Sequence, residues 1–188
     1  MAEVTANPRG IPIAPFVEDV EAFVPDRTKI EENLAKFQEM IASKYQFMEL
    51  NMQRRAQSLE EKIPDIRKTL DTVNFLSKRN SDKPLETLYE LHDTLYAKAE
   101  VPGKLDEVYL WLGANVMLAY PIEEAKELLE TKLKSAMSTL KNCNEDRDFL
   151  RQQITTLEVN TARLYNYDVT LKRKERIEAE EEAKLAKA

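Results

Sequence analysis

Between Lys83 and Pro121 the apolar residues of this chain change period, and that change limits the folds open to it more than any other feature. On either side they recur at steps of three and four, the repeat of a helix that packs lengthwise on another. Within the stretch they alternate. Leu95, Ala97, Ala99 and Val101 fall on one side and Tyr96, Lys98 and Glu100 on the other, the period of two that a pleated strand imposes. Pro102-Gly103-Lys104 interrupts the run with turn residues. Val108, Leu110 and Leu112 then alternate with Tyr109 and Trp111, and after Gly113-Ala114-Asn115 a further face carries Val116, Leu118 and Tyr120. Leu85 to Leu91 is a weaker strand candidate ahead of these. Short strands separated by turns read as hairpins.

Three or four short strands make too small a sheet to stand alone, and their edges expose unpaired N–H and C=O groups, so they need a neighbour. A compact β connector between two long helices folds those helices back on each other. The expected fold is therefore mainly α with a small β part, a long antiparallel two-helix coiled coil with assembly at the joined end and free tips at the other. The whole chain reads as one unit: an irregular segment over 1–25, helix one over 28–80, the connector over 84–120, helix two over 121–175 and a charged tail over 176–188.

Helix one opens near Thr28, where Thr28 and Glu31 have capping-box spacing. Its seam runs through Ile30, Leu34, Phe37, Ile41, Tyr45, Met48, Met52, Ala56, Leu59, Ile63, Ile66, Leu70, Val73 and Leu76. Paired steps of four through Phe37, Ile41 and Tyr45, and again through Met48, Met52 and Ala56, predict local unwinding of the supercoil. Pro64 predicts a kink and not a break, because the seam continues beyond it. Helix two begins at Pro121, with Glu123 and Glu124 complementing the dipole. Its seam is Leu133, Ala136, Leu140, Cys143, Arg147, Leu150, Ile154, Leu157, Thr161, Leu164, Asp168 and Leu171. Arg147 and Asp168 are polar residues of the kind that set register at a cost in stability. At about fifty residues each, such helices reach roughly 75 Å.

The first 25 residues carry Pro8, Pro12, Pro15 and Pro25, too many for a helix. Phe16, Val17, Val20, Phe23 and Val24 in the same segment need cover. Either a short helical turn folds onto the neighbouring coil, or these residues form an apolar lip for a client. The tail beyond Leu171 has the mixed charge of a solvated, fraying helix end.

A net charge of −6 and the absence of a basic stripe argue against nucleic acid as a partner. No apolar run is long enough to span a bilayer, and the N-terminus lacks a signal-peptide pattern, which points to a soluble intracellular protein without a membrane partner. With one His and one Cys, no His/Cys metal cluster can form, and no phosphate-binding glycine motif appears, so no cofactor and no enzyme activity is expected. His92 reads as a surface turn residue and Cys143 as a small hydrophobe on the seam. Met40, Met48 and Met52 read as core before any adaptable binding face.

Two heptad helices joined by β-hairpins resemble an α-type subunit of prefoldin. The runs Gly10-Ile11-Pro12, Phe16-Val17-Glu18-Asp19-Val20 and Lys44-Tyr45-Gln46-Phe47-Met48-Glu49-Leu50-Asn51 are similar to the eukaryotic subunit 3 branch of that family. So are Ile63-Pro64-Asp65-Ile66, the connector from Val108 to Leu118, and Asp148-Phe149-Leu150-Arg151. The resemblance implies a subunit of a hexameric co-chaperone that captures unfolded or nascent chains, actin and tubulin among them, at coiled-coil tips. It further implies delivery to the cytosolic group II chaperonin without ATP. On this chain Leu95, Ala97, Val108, Leu110, Leu112, Val116 and Leu118 are the expected contacts with sister prefoldin subunits in a shared β-barrel. Ile30, Leu34, Phe37, Leu164, Tyr165, Tyr167 and Leu171 are the expected client-binding tip residues. The alternative is a coiled-coil tether or adaptor that binds a specific folded partner.

Overall fold

A computed structural model describes residues 6–25, 29–79, 83–103 and 105–185. In chain order the elements are helices α1 (Val20–Phe23) and α2 (Ile30–Glu39), a π-helical segment (Met40–Gln46), helix α3 (Phe47–Lys78), strands β1 (Leu85–His92), β2 (Leu95–Val101), β3 (Glu107–Gly113) and β4 (Val116–Pro121), and helix α4 (Ile122–Leu185). The expected architecture of long helices with two antiparallel hairpins between them is met. The chain divides into a terminal unit, Met1–Ala56 with Asn142–Ala188, and a central unit, Gln57–Lys141.

In the central unit β1 pairs with β2 and β3 with β4, each pair antiparallel, as two separate two-stranded sheets. Among the described residues no closed barrel forms within the single chain. The β3–β4 turn is built on positive φ at Gly113 (88°), Ala114 (48°) and Asn115 (62°). Two central residues at positive φ match the right-handed twist of the flanking strands, which is why such turns close tight hairpins. Pro121 ends β4 opposite Glu107, and α4 begins at the next residue. Leu110 inserts between the helices, where it packs with Leu70, Val73, Ile122, Ala125 and Leu129. The second hairpin is thereby fixed to its own helices. Among the described residues the first makes no comparable core, and Leu88, Tyr89, Leu91, Leu95 and Tyr96 are exposed.

In the terminal unit the seams expected from the sequence meet. Ile30, Phe37 and Tyr45 pack with Leu150, Ile154, Leu157 and Leu164; Arg151 Nε donates to Glu49 Oε1 at 2.8 Å while Leu34 and Ile41 lie beside Thr161 and Tyr165, so the helices run antiparallel. The first pair of four-residue steps, through Phe37, Ile41 and Tyr45, coincides with the π-helical segment. Its wider turn closes i→i+5 bonds and keeps residues four apart on the seam. The second pair, through Met48, Met52 and Ala56, stays α-helical. Thr28 lies outside the described residues; α2 opens from Lys29 with no side-chain cap. Helix α3 continues through Pro64. Helix α4 extends to Leu185, past the expected end at 175, and there the exposed i,i+4 pair Arg176–Glu180 supports an otherwise solvated helix. On the seam, buried Asp168 pairs with Lys172, and Cys143 is buried.

Candidate functional site

From Ala6 onward the described part of the N-terminal segment is held against the coil. Residues 6–12 close a turn in which Asn7 Oδ1 accepts from Arg9 N (3.0 Å) and Ile11 N (2.8 Å), with Gly10 at φ 83°. From Ile11 to Glu18 the chain forms a strap along α4. Ala14, Val17 and, after the short α1, Val24 join the core of the terminal unit. Asp19 caps α1 by accepting from the Glu21 and Ala22 amides. Phe23 stacks on Phe37 with ring centroids 6.0 Å apart. The segment folds onto the coil through Ala14, Val17 and Val24, while Phe16 and Phe23 keep exposed apolar surface.

Three residues of α4 at seven-residue spacing, Asp146, Gln153 and Asn160, face the N-terminal segment. All three are buried polar residues. Burying a polar side chain without a partner costs free energy, so each must find one. Asp146 Oδ1 accepts from Asn7 Nδ2 (2.8 Å) and Arg9 Nε (2.6 Å), and Arg9 also reaches Glu145 (3.0 Å). The bond to Asp146 leads the contacts that raise the Arg9 pKa further above its ordinary value. Gln153 Oε1 accepts from Ala14 N at 2.9 Å. Asn160, 1% exposed, accepts from Val17 N at 3.1 Å and donates to Pro15 O at 2.6 Å. Arg163 donates to Val17 O (2.8 Å) and Glu18 O (3.1 Å), with its guanidinium 5.5 Å from the Phe16 ring centroid. From the facing helix, the Tyr45 hydroxyl donates to Pro12 O at 3.3 Å. Burial pushes the Tyr45 phenol up.

The strap's prolines suit this contact. Pro12 and Pro15 bring carbonyls that accept bonds and no N–H that would need one.

The expected tip residues divide into three groups. Ile30, Phe37 and Leu164 are core residues of the terminal unit, packed in one cluster with Ala14, Val17 and Val24. Leu34, Tyr167 and Leu171 are half-buried beside that core. Tyr165 is exposed. On the flank of α4 away from the strap, Tyr165 lines a shallow apolar groove with Leu34, Ile41, Thr161 and Ala162, edged by Gln38 and Glu158. Phe16 on the strap, 60% exposed, and Phe23 at the end of α1 add further apolar surface.

The expected assembly residues of the central unit divide as well. Leu110 is buried and half-buried Val108 packs beside it, so these two fix the hairpin to its own helices. Leu95, Leu112, Val116 and Leu118 are exposed, and Ala97 is half-buried. The opposite face of β3 and β4 carries Tyr109 (64% exposed), Trp111 (60%) and Met117, the last two paired across the strands. Tyr109 donates to Glu107 Oε1 at 3.1 Å, and this bond raises its pKa. Alternation distinguishes the two faces of β3 but not which turns inward, since both are apolar. Asp146, Gln153 and Asn160 were also not singled out in the sequence; their common heptad offset was the available signal.

No helix among the described residues is long and apolar enough to cross a membrane, and no group of His, Cys, Asp or Glu among them could hold a metal ion.

The family model for prefoldin subunits matches residues 45–167. The chain is 63% identical over 175 residues to prefoldin subunit 3 of Elsinoe fawcettii, covering 93% of this chain and 88% of the relative. It is 58% identical to a probable prefoldin subunit 3 of Schizosaccharomyces pombe (90% and 97% covered) and 47% identical to prefoldin subunit 3 of Homo sapiens (88% and 85%). Among solved structures, a chain of filamentous PFD from Methanocaldococcus jannaschii superposes with a TM-score of 0.52 at 18% identity, covering 65% of this chain and 98% of that one, a likeness of fold.

Proposed function

The chain belongs to the prefoldin family as a co-chaperone subunit, and from that premise we propose that it works in the cytoplasm within a hetero-hexamer that captures unfolded or nascent proteins. Actin and tubulin are the clients we assign, with ATP-independent delivery to the group II chaperonin. The observation that carries this reading is the uncovered apolar surface of the two hairpins. Two-stranded sheets of this size are marginal alone, and Leu88, Tyr89, Leu95, Trp111, Met117 and Leu118 present their side chains to solvent. Neighbouring subunits that add strands would satisfy both the edges and the apolar side chains. The contact set for assembly is therefore Leu95, Ala97, Leu112, Val116 and Leu118, joined by Tyr109, Trp111 and Met117 from the opposite face.

Clients are held by the terminal unit, at Tyr165 and its groove and at Phe16 and Phe23. Burying one large apolar side chain contributes about 1.5–3 kcal/mol before ordering costs. Such contacts are individually weak, and several subunits on one base raise the effective concentration of each successive contact. Weak, sequence-tolerant holding with quick release suits a carrier.

The test is reconstitution. Mixed with its sister subunits, the chain is expected to enter a single species of hexamer mass that binds chemically unfolded actin and ignores native actin. A chain that stays monomeric in the mixture, or a complex that prefers the native client, overturns the reading in favour of a tether.

A further inference from the structure

We propose that the face of α4 bearing Gln153, Asn160 and Arg163 is a binding site for extended polypeptide, occupied here by the chain's own strap and taken over by a segment of the unfolded client. The inference rests on the co-chaperone reading above and identifies where, and by what chemistry, main chain is recognised.

The first argument is what these side chains touch. Between Pro12 and Glu18 every hydrogen bond given to the strap goes to its backbone: Ala14 N, Pro15 O, and Val17 N and O among the acceptors and donors met by α4. Asn160 bonds the carbonyl before Phe16 and the amide after it. Those two groups point to the same side of an extended chain and are the ones a neighbouring strand would bond. The Asn160 amide carries the same donor and acceptor as a peptide group and stands in for that strand. Recognition of this kind is indifferent to side-chain identity. It asks only for an extended segment with small or apolar residues where Ala14 and Val17 now enter the core.

The second argument is register. Gln153 and Asn160 are seven helical residues apart, a rise of about 10.5 Å. The amides they bind, Ala14 and Val17, are three residues apart; a pleated strand would turn them to opposite sides, whereas a polyproline-type chain, with three residues per turn and a rise of about 3.1 Å, returns them to one side after about 9 Å. A heptad of α4 thus matches one such turn of extended chain, the conformation that Pro12 and Pro15 favour here. Beneath the strap lie Ile30, Phe37, Leu157 and Leu164, the apolar floor over which an unfolded segment would gain burial. A cis occupant keeps that floor covered and the buried amides satisfied while no client is present, and its exchange for client need change no bond type.

Hydrogen exchange on the assembled, full-length complex tests the proposal. The Ala14 and Val17 amides are expected to be protected when the complex is alone. They should exchange about tenfold faster or more when a reduced, carboxymethylated protein is added in excess, because the strap is then out of its site. In the full-length double variant Gln153→Leu/Asn160→Leu, with helicity checked by circular dichroism, strap exchange is expected to rise while client affinity falls. A strap that merely obstructs would give the opposite, with holding improved as it loosens, and that result overturns the proposal. So does a client held at wild-type strength with Ala14 and Val17 still protected, an outcome that leaves the co-chaperone reading intact. A wild-type complex that holds no unfolded protein at all overturns that reading and this inference together.

Discussion

The Asn160 side chain donates to the Pro15 carbonyl at 2.6 Å while the same amide accepts from Val17. One buried side chain thereby satisfies two backbone groups that would otherwise lie against the core without water. Replacing it with leucine, of similar volume, removes both bonds and strands both groups, at a cost of about 2–4 kcal/mol. Asn160→Asp keeps the acceptor for Val17 but sets a carboxylate against the Pro15 oxygen, and it is expected to cost at least as much at neutral pH. Denaturant midpoints of the two variants, with hydrogen exchange at Val17, provide the check.

The β3–β4 turn gives a cleaner backbone experiment. A Cβ placed on Gly113 meets no atom within 4 Å, so Gly113→Ala costs only the strain of φ 88° in a residue with a side chain. That is about 1–2 kcal/mol. Ala114→Gly, which relieves φ 48° in the same turn, is expected to shift stability the other way by up to about 1 kcal/mol. Opposite shifts of Tm for two exchanges of the same methyl group, one residue apart, would tie the effect to dihedral angles. Equal shifts would sink that account.

How much of this was legible beforehand follows from the range over which each signal acts. The strands and seams were readable because their periods are local: Val108-Leu110-Leu112 alternate and Leu150-Ile154-Leu157 step by four and three whatever lies elsewhere. The strap was not. Asp146, Gln153 and Asn160 resemble the solvated face of any helix until a segment some 140 residues away supplies their partners. Two weaker signals pointed to it, the seven-residue spacing of those three and the three-residue spacing of Pro12 and Pro15. The same distance effect hid the burial of Ile30, Phe37 and Leu164, since a seam residue near a helix end reads as open unless something is known to cover it. The π-helical segment was half-visible, as a pair of four-residue steps that called for unwinding of some kind.

Tyr45 ties the strap to α4's partner helix and makes it sensitive to alkali. Burial raises its pKa, so the folded chain resists ionisation that the unfolded chain undergoes near pH 10. The sign follows from linkage: the contribution of neutral Tyr45 is complete below the unfolded value and is lost as pH rises through the raised folded one. Tyr45→Phe loses the 3.3 Å bond to Pro12, about 0.5–1 kcal/mol at neutral pH, and also loses this part of the alkaline fall. Tyr109, likewise raised, is present in both proteins and cancels in the difference. Denaturant midpoints of the two proteins measured from pH 8 to 11 should therefore converge as pH rises; curves that stay parallel would mean that Tyr45 ionises as freely folded as unfolded.

Leu110 and Trp111 are neighbours in β3 with opposite duties, and substituting each separates folding from assembly. Leu110 lies in the central core with Val73 and Ala125, so Leu110→Ala opens a cavity and is expected to destabilise the chain by about 2–4 kcal/mol. Trp111 faces solvent, paired across the hairpin with Met117 and outside that core. Trp111→Lys therefore removes nothing the isolated chain depends on, while it places a charge where sister subunits are proposed to add strands. Charge on an exposed strand face is a recognised barrier to edge-to-edge pairing. The expected pattern is a normal thermal transition with failed hexamer formation for Trp111→Lys, and for Leu110→Ala a lowered transition with assembly recovered at low temperature. Mass measurements of the reconstituted mixture, beside melting curves of the lone chains, decide it. Assembly untouched by Trp111→Lys would return the contact to the Leu112, Val116 and Leu118 face alone.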